Sequence, residues 1–256
     1  MKHLIANWKM NFINSDAWLK DFDLKNIPKE IQVVVCPNYL DIEDFYEISS
    51  KTHEKILIGA QNLSSETKGA FTGQISGKML KNIGASYSIV GHSECRLQGE
   101  DDETILNKVQ TAIECELIPI LCIGENQEEY SKGRTENKIK HQLTENLFPL
   151  KNLSKSVLIA YEPIYAIGSG IAVQNEHLEE VSLLINDLVR DNLEIDLTLI
   201  YGGSVTSESA KNLAKVDGID GFLVGNASLD PKEFANIALS LELSLIHISE
   251  PTRQPN

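Results

Sequence analysis

Basic residues are scarce in this chain. Twenty-three lysines and arginines face 37 aspartates and glutamates, a net charge of −14 over 256 residues. Nucleic acids and anionic membranes need a basic face that releases counterions, so neither is an expected partner. An anionic small molecule would have to meet a locally positive pocket, built from backbone amides and one or two lysines. Cysteine is sparse too. Cys36, Cys95, Cys115 and Cys122 show no CxxC and no metal-ligand spacing, which reads as reduced, mostly buried thiols in a cytoplasmic protein. No apolar run approaches membrane-spanning length. The opening Met1-Lys2-His3-Leu4-Ile5-Ala6 is interrupted by Asn7-Trp8-Lys9, too early for a secretory signal. No flexible linker or shift of composition divides the chain, so a single domain is expected. With 42% hydrophobic and 23% charged residues, it is an ordinary globule large enough to bury a substantial core.

Short apolar runs alternate with amphipathic stretches from end to end. Strands are expected at 3–8, 31–36, 55–60, 87–90, 119–123, 157–161, 196–201 and 221–224. The clearest helical patterns cover 41–50, 105–116, 135–147, 176–191 and 207–215. In one of them Leu178, Val181, Ser182, Ile185, Leu188 and Val189 form an apolar stripe. Eight strand–helix units with right-handed crossovers make either a doubly wound sheet or a closed (β/α)8 barrel. Candidate reactive groups follow the first, fourth, sixth, seventh and eighth strands. A barrel gathers all those ends on one face, whereas an open sheet spreads them across its width.

The segment Tyr161-Glu162-Pro163-Ile164-Tyr165-Ala166-Ile167-Gly168-Ser169-Gly170 is the most informative one. It follows the apolar run Val157-Leu158-Ile159-Ala160, so the Glu162 carboxyl lies where a buried strand gives way to a loop. A stiff proline, water-excluding Ala166 and Ile167, and two glycines then describe a proton-transferring acid beneath a short lid. The plain alternative is a strand-to-helix connection whose glutamate caps the next element.

Four further stretches accompany it. Asn7-Trp8-Lys9 closes the first strand and Gly91-His92-Ser93-Glu94 the fourth. Tyr201-Gly202-Gly203-Ser204-Val205 closes the seventh and Leu223-Val224-Gly225-Asn226-Ala227-Ser228 the eighth. In this order and spacing, over about residues 3–240, the chain resembles the triosephosphate isomerase family. The resemblance implies a single-domain TIM (β/α)8 barrel that interconverts dihydroxyacetone phosphate and D-glyceraldehyde 3-phosphate. It implies Glu162 as catalytic base, His92 as electrophile, Lys9 as the substrate-facing cation with Asn7 beside it, and Glu94 as the carboxylate next to that lysine. It also implies that the backbone amides of Gly168, Ser204, Gly225 and Asn226 hold the phosphate. The stretches Gly59-Ala60-Gln61-Asn62 and Gly69-Ala70-Phe71-Thr72-Gly73-Gln74 bracket a long third loop, which in the family enters a pocket of a second subunit. A homodimer through Phe71 and Thr72 is therefore implied.

The residue types suit that chemistry. Moving a proton between adjacent carbons through an enediolate needs one carboxylate that reaches both carbons in a water-excluded site. The enediolate oxygens need donors already in place, which His92 and Lys9 supply. A neutral His92 is expected, helped by a helical turn starting near Ser93 that disfavours positive charge. Phosphate held by glycine-rich turns supplies remote binding energy that can close a lid. No metal or organic cofactor is required.

Other residues read more plainly. Cys122 is expected to be a packed core thiol near the site. His3, His53, His141, His177 and His247 show no partner pattern and are expected to be solvent-facing or structural. The chain departs from the family's pattern at several points. Asn226 replaces a glycine, and its tolerance of positive φ is the expected reason. Ser169 replaces a threonine, Tyr165 a tryptophan, Cys95 the first of two arginines after Glu94, of which Arg96 keeps the second, and Gln74 a glutamate. Two rivals share parts of the pattern: another phosphate-binding barrel enzyme, such as a sugar-phosphate isomerase or indole-glycerol-phosphate synthase, and a non-catalytic phosphate-binding or adhesion protein on the same scaffold. Residues 1–242 are expected to form the barrel. Residues 243–256 fit nothing before them, resemble the in-frame translation of a transposase sequencing adaptor, and are read as an assembly scar with no element of its own.

Overall fold

Alternation of side chains along each strand builds two cores, one inside a barrel and one around it. The computed structural model describes residues 1–53, 55–150, 157–166, 173–193 and 197–248, with side chains described up to residue 241. Its strands are β1 (Lys2–Asn7), β2 (Ile31–Cys36), β3 (Ile56–Ala60), β4 (Ala85–Val90), β5 (Ile118–Ile123), β6 (Val157–Tyr161), β7 (Leu197–Tyr201) and β8 (Gly221–Val224). Each pairs in parallel with the next, and β8 pairs back onto β1, so the sheet closes. The open-sheet alternative is thereby removed. Ile5, Val34, Ile89, Ile120, Leu158, Ile200 and Leu223 form the buried cluster inside the barrel. Their strand neighbours Leu4, Ala6, Val33, Val35, Ile159 and Tyr161 belong to the larger cluster shared with the helices. A period of two therefore decides which residues at each strand end can face the barrel axis.

The helices are α1 (Ser15–Asp21), α2 (Ile42–Thr52), α3 (Gly77–Asn82), α4 (Ser93–Leu97), α5 (Asp102–Glu114), α6 (Gln127–Ser131), α7 (Thr135–Asn146), α8 (Asn175–Asn192), α9 (Ser207–Leu213) and α10 (Pro231–Ile248). The α8 stripe buries Leu178, Val181, Ser182, Ile185 and Val189 against the barrel, with Leu188 partly buried beside them. All eight expected strands are present. Differences from the expected bounds have local causes. β1 stops before Trp8 because Lys9 turns the chain with a φ of 53°. The helix expected from 105 begins at Asp102, since the Asp101 carboxylate accepts the Thr104 N–H at 2.8 Å and caps it. Glu116, at φ 60°, turns the chain away beyond its end. Trp8 itself packs edge-on to Trp18 and Phe45, at 5.4 and 5.3 Å between ring centroids, and fastens the first loop to α1 and α2.

The tail corrects one expectation. α10 runs on through Ile248, six residues beyond the expected limit at 242. The stretch Leu243-Ser244-Leu245-Ile246 contains no glycine or proline to stop a helix, and the next proline is Pro251. Residues 249–256 lie outside the described residues. No helix among the described residues is long and apolar enough to cross a membrane.

Candidate active site

Ile5 points into the barrel, so Asn7, two residues on, points the same way at the rim. Its Oδ1 accepts the Lys9 N–H at 3.0 Å. From the end of β3, Gln61 Nε2 donates to Lys9 O at 2.8 Å and to Cys36 O at 3.1 Å. The positive φ of Lys9 is uncommon for a residue with a side chain and costs on the order of 1 kcal/mol. Two carboxamides, from β1 and β3, hold it there. The ammonium then reaches Glu94 Oε1 at 2.6 Å.

At the end of β4, Gly91 adopts φ 68° and turns the chain into α4. His92 is the capping residue of α4, and its Nδ1 accepts the Glu94 N–H at 3.2 Å. An accepting Nδ1 carries no proton, so the ring is neutral and its proton sits on Nε2. That nitrogen lies 3.3 Å from Glu162 Oε1.

Leu158 and Ala160 face the barrel interior, so Glu162 continues the inward row past the end of β6. Its other oxygen accepts the Ser93 N–H at 3.3 Å, and the residue is only 2% exposed. Gly202, at the end of β7, makes room for it: a Cβ there would lie 2.8 Å from Glu162 Cγ. Beneath these groups Arg96 ties neighbouring strand ends together. It donates to Gly91 O at 2.8 Å, Cys122 O at 3.1 Å, Asn146 Oδ1 at 2.9 Å and Asp102 Oδ1 at 3.0 Å. Cys95, in the place of the neighbouring arginine, makes one weak contact, 3.5 Å from Asn62 Nδ2.

Asn7, Lys9, His92, Glu162, Ser204, Gly225 and Asn226 all line one cavity of about 200 Å³ at this rim. Glu94 stands behind Lys9. Gly168, with Ile167, Ser169 and Gly170 of the expected lid, lies outside the described residues. The part of that segment within them forms a 3-10 turn, Ile164–Ala166, and Ser204 Oγ donates to Ala166 O at 2.6 Å. On the far side of the segment, Val173 N–H donates to the Tyr201 hydroxyl at 3.3 Å. Positive φ does not explain Asn226. Lys9 and Glu116 are the non-glycine residues with positive φ among those described. With ordinary φ, position 226 accepts a side chain without backbone strain, and the residue lines the cavity.

Burial works to raise the Glu94 carboxyl, but the hydrogen bond from Lys9 and the charge of that ammonium hold the group below the ordinary carboxylate range. Cys122 is buried, and burial together with Glu162 pushes its thiol well up, which fits the expected core role. Among the described residues, no group of three or more histidines, cysteines or carboxylates is placed to hold a metal ion.

Sequence reasoning overlooked two supports. Gln61 stands at a strand end, and asking what satisfies the backbone of the neighbouring first loop points to it. His177, expected to be solvent-facing or structural, is structural: its Nε2 lies 3.0 Å from the Tyr161 hydroxyl and 3.4 Å from Glu125 Oε1. Nothing in the local pattern around 177 signals either contact. His3 is buried, and His141 lies 3.2 Å from Asp102 Oδ2.

A (β/α)8 barrel with a neutral imidazole, a buried carboxylate and an ammonium around one cavity at its carboxyl-terminal rim defines a class of barrel enzymes. Comparison with known proteins narrows the class. A family profile described as triosephosphate isomerase matches residues 2–241. A protein named triosephosphate isomerase from Mesomycoplasma hyopneumoniae strain 7448 is 39% identical over 248 residues, covering 93% of this chain and 99% of the relative. One of the same name from Clostridium tetani is 40% identical over 245 residues, covering 92% and 95%. Another from Aquifex aeolicus is 39% identical over 249 residues, covering 94% and 100%. The chain belongs to the triosephosphate isomerase family.

Proposed function

We propose that this chain interconverts dihydroxyacetone phosphate and D-glyceraldehyde 3-phosphate, with Glu162 as the base that carries the proton between the two carbons. The reading rests chiefly on one observation: a 2%-exposed carboxylate stands 3.3 Å from the N–H side of a neutral imidazole, in a cavity that also admits a lysine ammonium. Glu162 removes a proton from the carbon beside the carbonyl. His92 Nε2–H and the Lys9 ammonium then stabilise the enediolate oxygens as charge develops there. Neutrality of His92 matters because an imidazolium would hold its proton too tightly to pass it between the two oxygens. Phosphate is held by main-chain amides of Ser204, Gly225, Asn226 and Gly168, and its binding energy orients the three-carbon chain. A coupled assay with glyceraldehyde 3-phosphate tests this. Wild type turns over, Glu162→Gln loses at least about a thousandfold in kcat, and equal rates in the two would remove Glu162 from the mechanism.

The protein is further proposed to act in the cytoplasm, in glycolysis and gluconeogenesis, as a homodimer. Support for the dimer comes from apolar side chains exposed around the rim loops: Met10, Phe12, Leu40 and Phe71. Phe71 sits in a tight turn, with Gln74 N–H donating to Phe71 O at 3.0 Å, which presents the ring outward. Thr72→Arg places a charge beside that ring and is expected to weaken association and activity together. A fully active monomer in analytical ultracentrifugation would contradict the assembly. Residues 243–256 are proposed to lie outside the functional unit, since the family profile ends at residue 241.

A further inference from the structure

One buried polar cluster beside the rim has no part in the proton transfer just described. Tyr161 precedes Glu162 by one residue and points the opposite way, into the layer between barrel and helices, where it is fully buried. Its hydroxyl donates to Glu125 Oε1 at 2.9 Å and also meets His177 Nε2 at 3.0 Å. A phenol has one proton to give, and here it goes to the carboxylate. The contact with His177 is therefore an Nε2–H donating to the tyrosine oxygen. Glu125 is fully buried, and its Oε2 has no hydrogen-bond partner among the described residues, so its side-chain hold on them runs through Oε1. Its main chain grips the residues after the base as well, since Glu125 O accepts the Ile164 N–H at 3.0 Å. Tyr130 closes the cluster by stacking on Tyr165 at 4.4 Å and standing edge-on to His177 at 5.1 Å. The chain on both sides of Glu162 is thus pinned to one residue, through a side chain before it and the backbone after it.

We infer that His177 is a positioning residue for Glu162: by donating to the Tyr161 oxygen from the first turn of α8, it keeps that hydroxyl aimed at Glu125 and so fixes where the end of β6 delivers the carboxylate. The inference rests on the reading of Glu162 as the base. Accepting a hydrogen bond polarises the phenol and strengthens its own donation to Glu125, so the two contacts reinforce each other. Because Tyr161 and Glu162 share a peptide bond on opposite faces of the strand, a rotation of the tyrosine is passed directly to the glutamate. Displacements well under 1 Å already matter in a preorganised proton transfer.

Steady-state kinetics on glyceraldehyde 3-phosphate, with thermal melts for each variant, test this in the intact enzyme. His177→Ala is expected to lower kcat about fivefold while KM stays within about twofold. His177→Gln, whose carboxamide can donate to the same oxygen, should return kcat to within about twofold of wild type. In the double variant, His177→Ala should add little to the loss caused by Tyr161→Phe, because both cut one relay. An unchanged kcat in folded His177→Ala, no recovery in His177→Gln, or losses that multiply in the double variant would each overturn the inference and leave the functional reading intact. A wild-type enzyme without turnover overturns both.

Discussion

Two glutamates stand at the same rim and are treated in opposite ways. Glu94 is half exposed, pairs with the Lys9 ammonium at 2.6 Å, and has its carboxyl held below the ordinary range. Glu162 is buried, and its oxygens face uncharged donors, an imidazole N–H and an amide N–H, each at 3.3 Å. A carboxylate locked to a cation at short range is a poor base, because protonation would break a strong pair. One that is buried and held by weak neutral donors can take a proton and give it back. On the proposed reading the rim divides the work: Glu94 places a charge, and Glu162 moves a proton. This division follows from where each residue sits. Glu94 lies inside α4, facing the first loop, whereas Glu162 continues the inward row of β6.

Breaking the comparison at Glu162 should have the largest effect. Glu162→Asp keeps the charge and withdraws the carboxylate by one methylene, ~1 Å or more, which should cut kcat by about two to three orders of magnitude with little change in KM. Comparable losses in kcat and in affinity would mean that Glu162 binds substrate rather than moves its proton. At Glu94 the expected loss is smaller. Glu94→Gln keeps an acceptor for Lys9 but removes the charge, and kcat/KM should fall about fivefold. This pair also carries a pH signature. Folding lowers the Glu94 carboxyl from its ordinary 4.5, so the pair stabilises the fold above that pH, and the contribution drains away as pH falls through the lower folded value. The difference in thermal midpoint between wild type and Glu94→Gln should therefore be present at pH 7 and shrink as pH falls below 4.5. A difference that persists at low pH would place the effect in packing and not in charge.

Much of this was legible in the chain because barrel chemistry is local to strand ends. The run Val157-Leu158-Ile159-Ala160 announces β6, and the period of two then carries Glu162 inward without any long-range information. The same holds for Asn7 at the end of β1 and Gly225 after β8. What escaped depends on partners distant in sequence. Gln61 holds a loop 52 residues away, and Glu125 meets His177 across 52 residues, so no window of pattern can reveal either. Lys9 was recognised for its charge, while its positive φ came from the two carboxamides that enforce it. The helical course of 243–248 escapes for another reason: a stretch that resembles a translated adaptor suggests no element of its own, although nothing in it breaks a helix.

Asn226 offers the finest division, between holding the phosphate and moving the proton. Family resemblance predicts a glycine there, and the observed backbone shows why a side chain is tolerated: the position lies at ordinary φ, at the start of a 3-10 turn. Asn226 lines the same cavity as Lys9 and Ser204, and it is partly exposed. A neutral donor to a phosphate oxygen contributes about 0.5–1.5 kcal/mol net, since it replaces a water. Asn226→Gly should therefore raise KM, and the inhibition constant of inorganic phosphate, by about threefold to tenfold while kcat stays within about twofold. Tighter phosphate binding in the variant would show that the carboxamide crowds the anion. A change confined to kcat would put Asn226 on the proton-transfer side of the site, and the separation of the two tasks along this rim would fail.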